Sequence, residues 1–252
     1  MRHSKHNLIL LILLCITNFF YSQNFKIYYL MKYKEDSLSN EVLQKNMVLL
    51  TSKNAAKFIS SEQFASDSLA IEDIKNGKRY TVNFDYEFMA RVDTQNLNAK
   101  KYKFVASDLY EVTLPLDKFD WKIENETKKI GEYSCQKATL IYCGRYWEAW
   151  FTKEIPLNFG PYIFRGLPGL ILNLKDKKDN FEFIFSGIKK SEADIDYLST
   201  KPLAVSSVQL EKVIRDYYND PFREMKSSSA EVIHEDENGN PIKPDYNQWT
   251  KD

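Results

Sequence analysis

The chain has 252 residues, with 35 Lys and Arg against 35 Asp and Glu, so there is no basic excess to attract nucleic acid or an anionic membrane. Only three histidines occur, His3, His6 and His234. Ser-His-Asp or Cys-His nucleophile chemistry and histidine-ligated zinc therefore have almost no candidate base or ligand. Sixteen Tyr and sixteen Phe against eight Gly suit a β-rich fold with aromatic-lined faces.

The N-terminus reads as a targeting signal. Arg2 and Lys5 form a basic region, Leu8 to Phe20 is a short apolar stretch, and Tyr21-Ser22-Gln23 is a cleavage zone. Cys15 follows Ile12-Leu13-Leu14, a loose lipoprotein box. Leu14 is large where a small residue is expected, and the apolar run continues past the cysteine, so no lipid anchor is expected. The sequence predicts a signal over 1–23, one β-rich domain over 24–225 and a polar, mobile tail over 226–252. The mature chain contains no second long apolar run, so no transmembrane segment is expected in it. Export leaves the periplasm, the outer surface and the medium open as destinations.

Phe25, Ile27, Tyr29, Met31 and Tyr33 alternate with Lys26, Tyr28, Leu30, Lys32 and Lys34 and predict an opening strand with one apolar face. Met47 to Thr51 and Lys57 to Ser60 read as two more strands. Ser61 to Lys75 is polar and weakly periodic, a short helix or a loop around Phe64, Leu69 and Ile71. Asn76-Gly77 reads as a hairpin turn. Tyr80 to Ala90 gives the clearest alternation, Asp93 to Lys100 reads as a polar loop, and Tyr102 to Leu114 contains a strand ended by Pro115. Asp120 to Glu126 and Tyr133 to Tyr142 pair around Gly131, and Gly144-Arg145 turns into Tyr146 to Thr152. Ser206-Ser207-Val208-Gln209 is a capping-box pattern opening a helix with Leu210, Val213, Ile214, Tyr217 and Tyr218 at helical spacing.

Between Trp147 and Ile188 the chain reads as loop, bend, strand, turn and strand. Its centre is Gly166-Leu167-Pro168-Gly169-Leu170-Ile171. This hexapeptide resembles the motif of the GLPGLI family of Bacteroidetes secreted proteins. Glu126-Thr127-Lys128, Gly131, Cys135, Lys137-Ala138-Thr139, Gly144-Arg145, Ala149-Trp150, Glu154-Ile155-Pro156 and Gly160-Pro161 follow that pattern in the same order. The resemblance extends to the bowl-shaped N-terminal domain of some bacterial peptide-N-glycanases. That domain carries no catalytic residues of its own. A half-barrel of the lipoprotein-carrier type is a further fold-level analogy.

The expected fold is mainly β (α+β), a strongly curved antiparallel sheet forming a bowl or half-barrel with one or two helices over it. The expected function is non-enzymatic binding of an apolar molecule, a glycan or an envelope protein, with no cofactor and no metal. Arg145, Trp147 and Trp150 form the first candidate constellation, because an aromatic beside an arginine stacks on a sugar or holds an acid. The alternative is a core Trp with Arg145 paired to Glu148 or Glu126. Phe159, Tyr162 and Phe164 either line a pocket or pack beneath it. The hexapeptide is a recognition loop or, more simply, a bend feeding a buried strand. Glu124, Glu126, Glu148, Glu154 and Asp176 keep a two-carboxylate glycan hydrolase open. A purely structural module is the third reading.

Cys135 and Cys143 are the two mature cysteines. On one continuous strand they would stand about 26 Å apart at about 3.3 Å per residue. A disulfide needs about 4.4–6.8 Å. The pair bridges only if the chain turns between them; with no turn signal before Gly144, the expectation is two free, mostly buried thiols.

Overall fold

The computed structural model describes residues 24–37, 40–79, 85–220, 234–235 and 241–242. The predicted signal, and with it His3, His6 and Cys15, lies outside these residues. Two units are distinguished, one ending at Leu210 and the other starting at Glu211.

The first unit is built on one 12-stranded sheet. Its strands are β1 (Phe25–Tyr33), β2 (Leu43–Thr51), β3 (Ala55–Ser60), β4 (Ala90–Asp93), β5 (Asn98–Val105), β6 (Asp108–Pro115), β7 (Lys122–Ile130), β8 (Tyr133–Tyr142), β9 (Arg145–Thr152), β10 (Leu170–Asp176), β11 (Phe181–Lys190) and β12 (Leu203–Val205). Their spatial order is β12-β6-β5-β4-β3-β2-β1-β11-β10-β9-β8-β7. Pairing is antiparallel throughout, except that β12 runs parallel to β6.

That order requires strong curvature. β6 and β7 are consecutive in the chain, yet ten positions apart in the sheet, which is about 48 Å if flat at about 4.8 Å per strand. The link from Pro115 to Lys122 spans at most about 25 Å when fully extended. The sheet must roll to bring those strands together. The contact of Lys101 Nζ on β5 with the Tyr162 ring, 5.7 Å away in the loop between β9 and β10, reports the same closure. The expected bowl-like, open curved sheet is therefore found.

The inner face carries the main core. Phe25, Ile27, Tyr29, Met31 and Tyr33 of β1 are all buried, as their alternation predicts. They pack with Phe58, Phe151, Phe183 and the 153–169 loop residues Phe159, Phe164 and Leu167. The Tyr29 hydroxyl donates to the Ile171 carbonyl at 2.7 Å, next to a register shift in the β9–β10 pairing.

The outer face carries a second core of Val48, Leu50, Ile59, Tyr86, Tyr102, Leu109 and Ile195. Helix α1 (Ser61–Lys75) lies there, and Phe64 packs beneath Lys26 of β1. A strap over residues 191–202 also covers this face and leads into β12. Helix α1 buries Gln63, Asp67 and Ala70, while Leu69 is exposed. Two of these three buried residues are polar: Gln63 Nε2 donates to Asp67 Oδ1 at 2.9 Å, and Gln63 Oε1 accepts from the Asp85 backbone N–H at 2.9 Å, while Asp67 Oδ2 is buried without a partner. Hydrogen bonding therefore replaces the apolar stripe that periodicity would register.

Several expectations are corrected. Asn76-Gly77 is a helix end rather than a hairpin turn. Gly77, at φ 65°, donates to the Ile74 carbonyl at 3.1 Å, and Lys78 N donates to Asp73 O at 2.8 Å. This is the Schellman pattern, and it needs the same left-handed glycine as the hairpin. The expected Tyr80–Ala90 strand is not formed over 85–89; residues 80–84 lie outside the described set. Phe88, at φ 60°, breaks the extended path and packs on Tyr33 with centroids 5.0 Å apart. The supposed loop Asp93–Lys100 is a tight hairpin. Asp93 Oδ1 accepts from Gln95 N and Asn96 N and so makes the turn with its own side chain. Tyr102–Leu114 holds parts of two strands, β5 and β6, turning at Ala106 (φ 55°).

Helix α2 (Ser207–Asn219) starts where the capping box predicts. Ser206 Oγ accepts from Gln209 N at 3.2 Å, and Gln209 Oε1 accepts from Ser206 N at 2.8 Å. In the second unit, β13 (His234–Glu235) and β14 (Pro241–Ile242) pair antiparallel, inside the segment read as a polar tail.

Candidate functional site

The sequence-predicted constellation is mostly framework. Arg145 opens β9 and pairs with Asp176, not with Glu148 or Glu126. The Cys143-Gly144 turn (φ 49° and 71°) sets Arg145 opposite Tyr142. Trp147 faces inward, 6% exposed, with its ring 4.7 Å from that of Phe164. Its indole N–H is buried without a hydrogen-bond partner. Trp150 faces outward but is capped: Lys128 Nζ sits 4.0 Å over the ring, and the indole N–H donates to Glu148 at 2.9 Å. Phe159 and Phe164 are core residues. Tyr162, at φ 56°, is half-buried, and burial pushes its hydroxyl up to about 12, with the Cys143 thiol adding to the rise.

The hexapeptide is a bend into a buried strand. Gly166 has φ 92° and Gly169 φ 150°. A Cβ on Gly169 would meet the Thr152 carbonyl oxygen at 1.9 Å, so the two backbones touch there and only glycine fits. Leu170, Ile171 and Leu172 are completely buried.

The candidate carboxylates hold the sheet together. Glu124 accepts from Thr139 at 3.2 Å, and Glu126 and Glu148 share Lys137 at 3.2 and 3.1 Å. Burial pushes the Glu148 carboxyl up, but donation from Trp150 and Lys137 outweighs this and holds it below its ordinary value. Glu154 accepts from Ser134 N at 2.8 Å. Both cysteines are free; Cys135 is buried as expected, whereas Cys143 is exposed because it occupies the turn.

The outer face offers a different site. A cavity of about 530 Å³ lies between β4–β6 and the strap. Arg91 stands opposite Lys100, Asp93 opposite Asn98, and Tyr102 opposite Glu111, all on one face of the three strands. The strap contributes Ile195, Asp196, Leu198, Thr200, Lys201 and Pro202. Placing Arg91 beside Lys100 sets like charges together, and each is neutralised locally. Arg91 contacts Asp196 at 2.5 Å and Asp93 at 3.2 Å, and Lys100 contacts Glu111 at 2.8 Å.

Burial raises the Asp93 carboxyl, but hydrogen bonds from Asn96, Arg91 and Gln95 outweigh it and hold the group at about 2. Tyr102 is buried beside Glu111, and both effects push its phenol well above the usual range. Asn98 Oδ1 is buried with no hydrogen-bond partner. Beneath the strap, Lys57 is 3% exposed and donates to the Tyr197 carbonyl at 2.7 Å. Burial lowers its ammonium to about 8 against the pull of Asp67, Asp196 and Asp194. Among the described residues, no group of His, Cys, Asp and Glu is arranged to hold a metal ion.

Sequence reasoning missed this site for two reasons. Its strand residues are divided between the segment read as a polar loop and the single strand read within Tyr102 to Leu114, and its roof comes from about a hundred residues beyond Arg91. The usable signal was the period-two spacing of Asn98, Lys100 and Tyr102.

A curved β-sheet bowl with a polar pocket on its outer face defines a β-rich, bowl-type domain. The chain belongs to the family described as the N-glycanase peptide N-terminal domain, which its residues 31–211 match. Two structures of PNGF-II, in space groups C2 and P21, align with a TM-score of 0.55 at 18% and 19% identity, each over 77% of this chain and 33% of theirs. The chain thus spans about a third of the length of those proteins, and the likeness is one of fold. A LolA superfamily protein from Nitrosomonas europaea aligns at TM-score 0.29 and 8% identity over 69% of this chain and 88% of its own, too low to carry the lipoprotein-carrier analogy. No curated protein matches in sequence.

Proposed function

We propose that this protein is an exported, non-enzymatic domain that binds a glycan in the outer-face pocket. The single observation that carries the reading is that pocket: about 530 Å³, lined by ion-paired polar side chains beside Ile195, Leu198 and Pro202. Its volume falls in the range of small-molecule sites, about 300–1,000 Å³. Kinship with the N-terminal domain of an N-glycanase supports glycan as the ligand class. The polar lining weighs against an apolar ligand.

The finer assignment is to the GLPGLI-type secreted proteins, supported by the hexapeptide and by the glycine that its Thr152 contact requires. Residues 1–23 are cleaved as the export signal, 24–225 form the functional domain, and the mature chain works in the periplasm, at the surface or in the medium. The test is to incubate the purified mature chain with an N-glycosylated protein and, separately, to pass it over immobilised oligosaccharides. Retention on the oligosaccharides without release of glycan is expected. Release of glycan, or failure to bind any saccharide, contradicts the reading.

A further inference from the structure

The outer-face pocket has no unspent charge at its centre. Three cations and three carboxylates line it, and the central ones are already matched: Arg91 with Asp93 and Asp196, and Lys100 with Glu111. Lys201 is exposed. An ionised ligand would have to displace a partner from a part-buried pair, which leaves a charge uncompensated. The groups still able to bond are of another kind. Asn98 Oδ1 is a buried acceptor with no donor, so it calls for a ligand hydroxyl or amide N–H. A carboxylate or sulfate offers it no proton. The Tyr102 ring, Ile195, Leu198 and Pro202 add apolar surface suited to the C–H face of a sugar ring.

We infer that this pocket is selective for uncharged saccharide units and discriminates against acidic ones, with Asn98 accepting a ligand hydroxyl or amide N–H and Tyr102 supplying the apolar wall. This rests on the glycan-binding reading above and adds the ligand's charge and the residues that select it.

The test is isothermal titration of the mature protein with three probes: N,N′-diacetylchitobiose, mannotriose and trigalacturonic acid. At least one neutral probe is expected to bind, ten-fold or more tighter than the acidic one, with an affinity that changes less than two-fold between 50 and 500 mM NaCl. Asn98→Ala is expected to weaken the neutral probe at least five-fold with an unchanged melting temperature. Equal or tighter binding of the acidic probe overturns the selectivity while leaving glycan binding intact. Neutral binding unaffected by Asn98→Ala overturns the site. Binding of no saccharide at all overturns the glycan reading itself.

Discussion

Arg145 Nη1 lies 3.1 Å from Oδ2 of Asp176, a carboxylate only 1% exposed. The other oxygen of Asp176 accepts from Asn180 N at 2.7 Å and Phe181 N at 2.8 Å. One side chain thus closes the β10–β11 turn and ties it to the first residue of β9. Arg145→Ala would leave a buried charge without its counter-ion. A loss of about 2–3 kcal/mol in urea unfolding is expected, the arginine being partly exposed. Glycan binding should be unchanged. A stable Arg145→Ala variant that no longer binds would return the site to β9.

The two positive-φ glycines of the hexapeptide should differ sharply on substitution. Gly169→Ala drives a methyl into the Thr152 carbonyl and is expected to cost about 3 kcal/mol or more, or to prevent folding. Gly166→Ala meets nothing within 4 Å and carries only the strain of φ 92°, about 1–2 kcal/mol. Thermal unfolding of both variants checks the order; equal losses would contradict the close backbone approach.

What the sequence made legible follows from which physical signals are local. The alternation of β1 survives because one face is core along its whole length. The Ser206–Gln209 box depends on two side chains three residues apart and is formed as read. The β4–β6 region was misread because its turns use an Asp93 side chain and an Ala106 left-handed residue instead of Asn-Gly. Helix α1 reads equally as helix or loop in the sequence because two of its three buried side chains are polar. The pocket was illegible because the strap that roofs it is held by long-range contacts, Lys57 to Tyr197 and Asp67 to Ser199.

Lys57 makes stability depend on pH. Its pKa falls from 10.5 to about 8 in the folded protein, so between these values the unfolded chain binds more protons. Stability contributed at this site therefore rises from pH 8 to pH 10.5, by about 3 kcal/mol at most. Lys57→Met removes this titrating group. The difference between wild-type and variant unfolding free energies should change across that window and stay flat below pH 7. A pH-independent difference would mean Lys57 titrates normally.

The two thiols should react unequally in the reduced mature protein. Cys143 is exposed at the β8–β9 turn, whereas Cys135 is buried, and burial pushes its thiol up against the opposing effects of Ile130 and Lys128. One equivalent of a thiol reagent should be consumed quickly and the second only on denaturation. Rapid loss of both would contradict the packing of β8.

The most direct measurement of the central claim is a chemical-shift map of the ¹⁵N-labelled mature protein titrated with a neutral oligosaccharide. Binding in the outer-face pocket predicts shifts concentrated at Asn98, Lys100, Tyr102, Glu111 and the strap residues Asp196 to Lys201. Shifts centred on Arg145 to Trp150, or none at saturating saccharide, would contradict it.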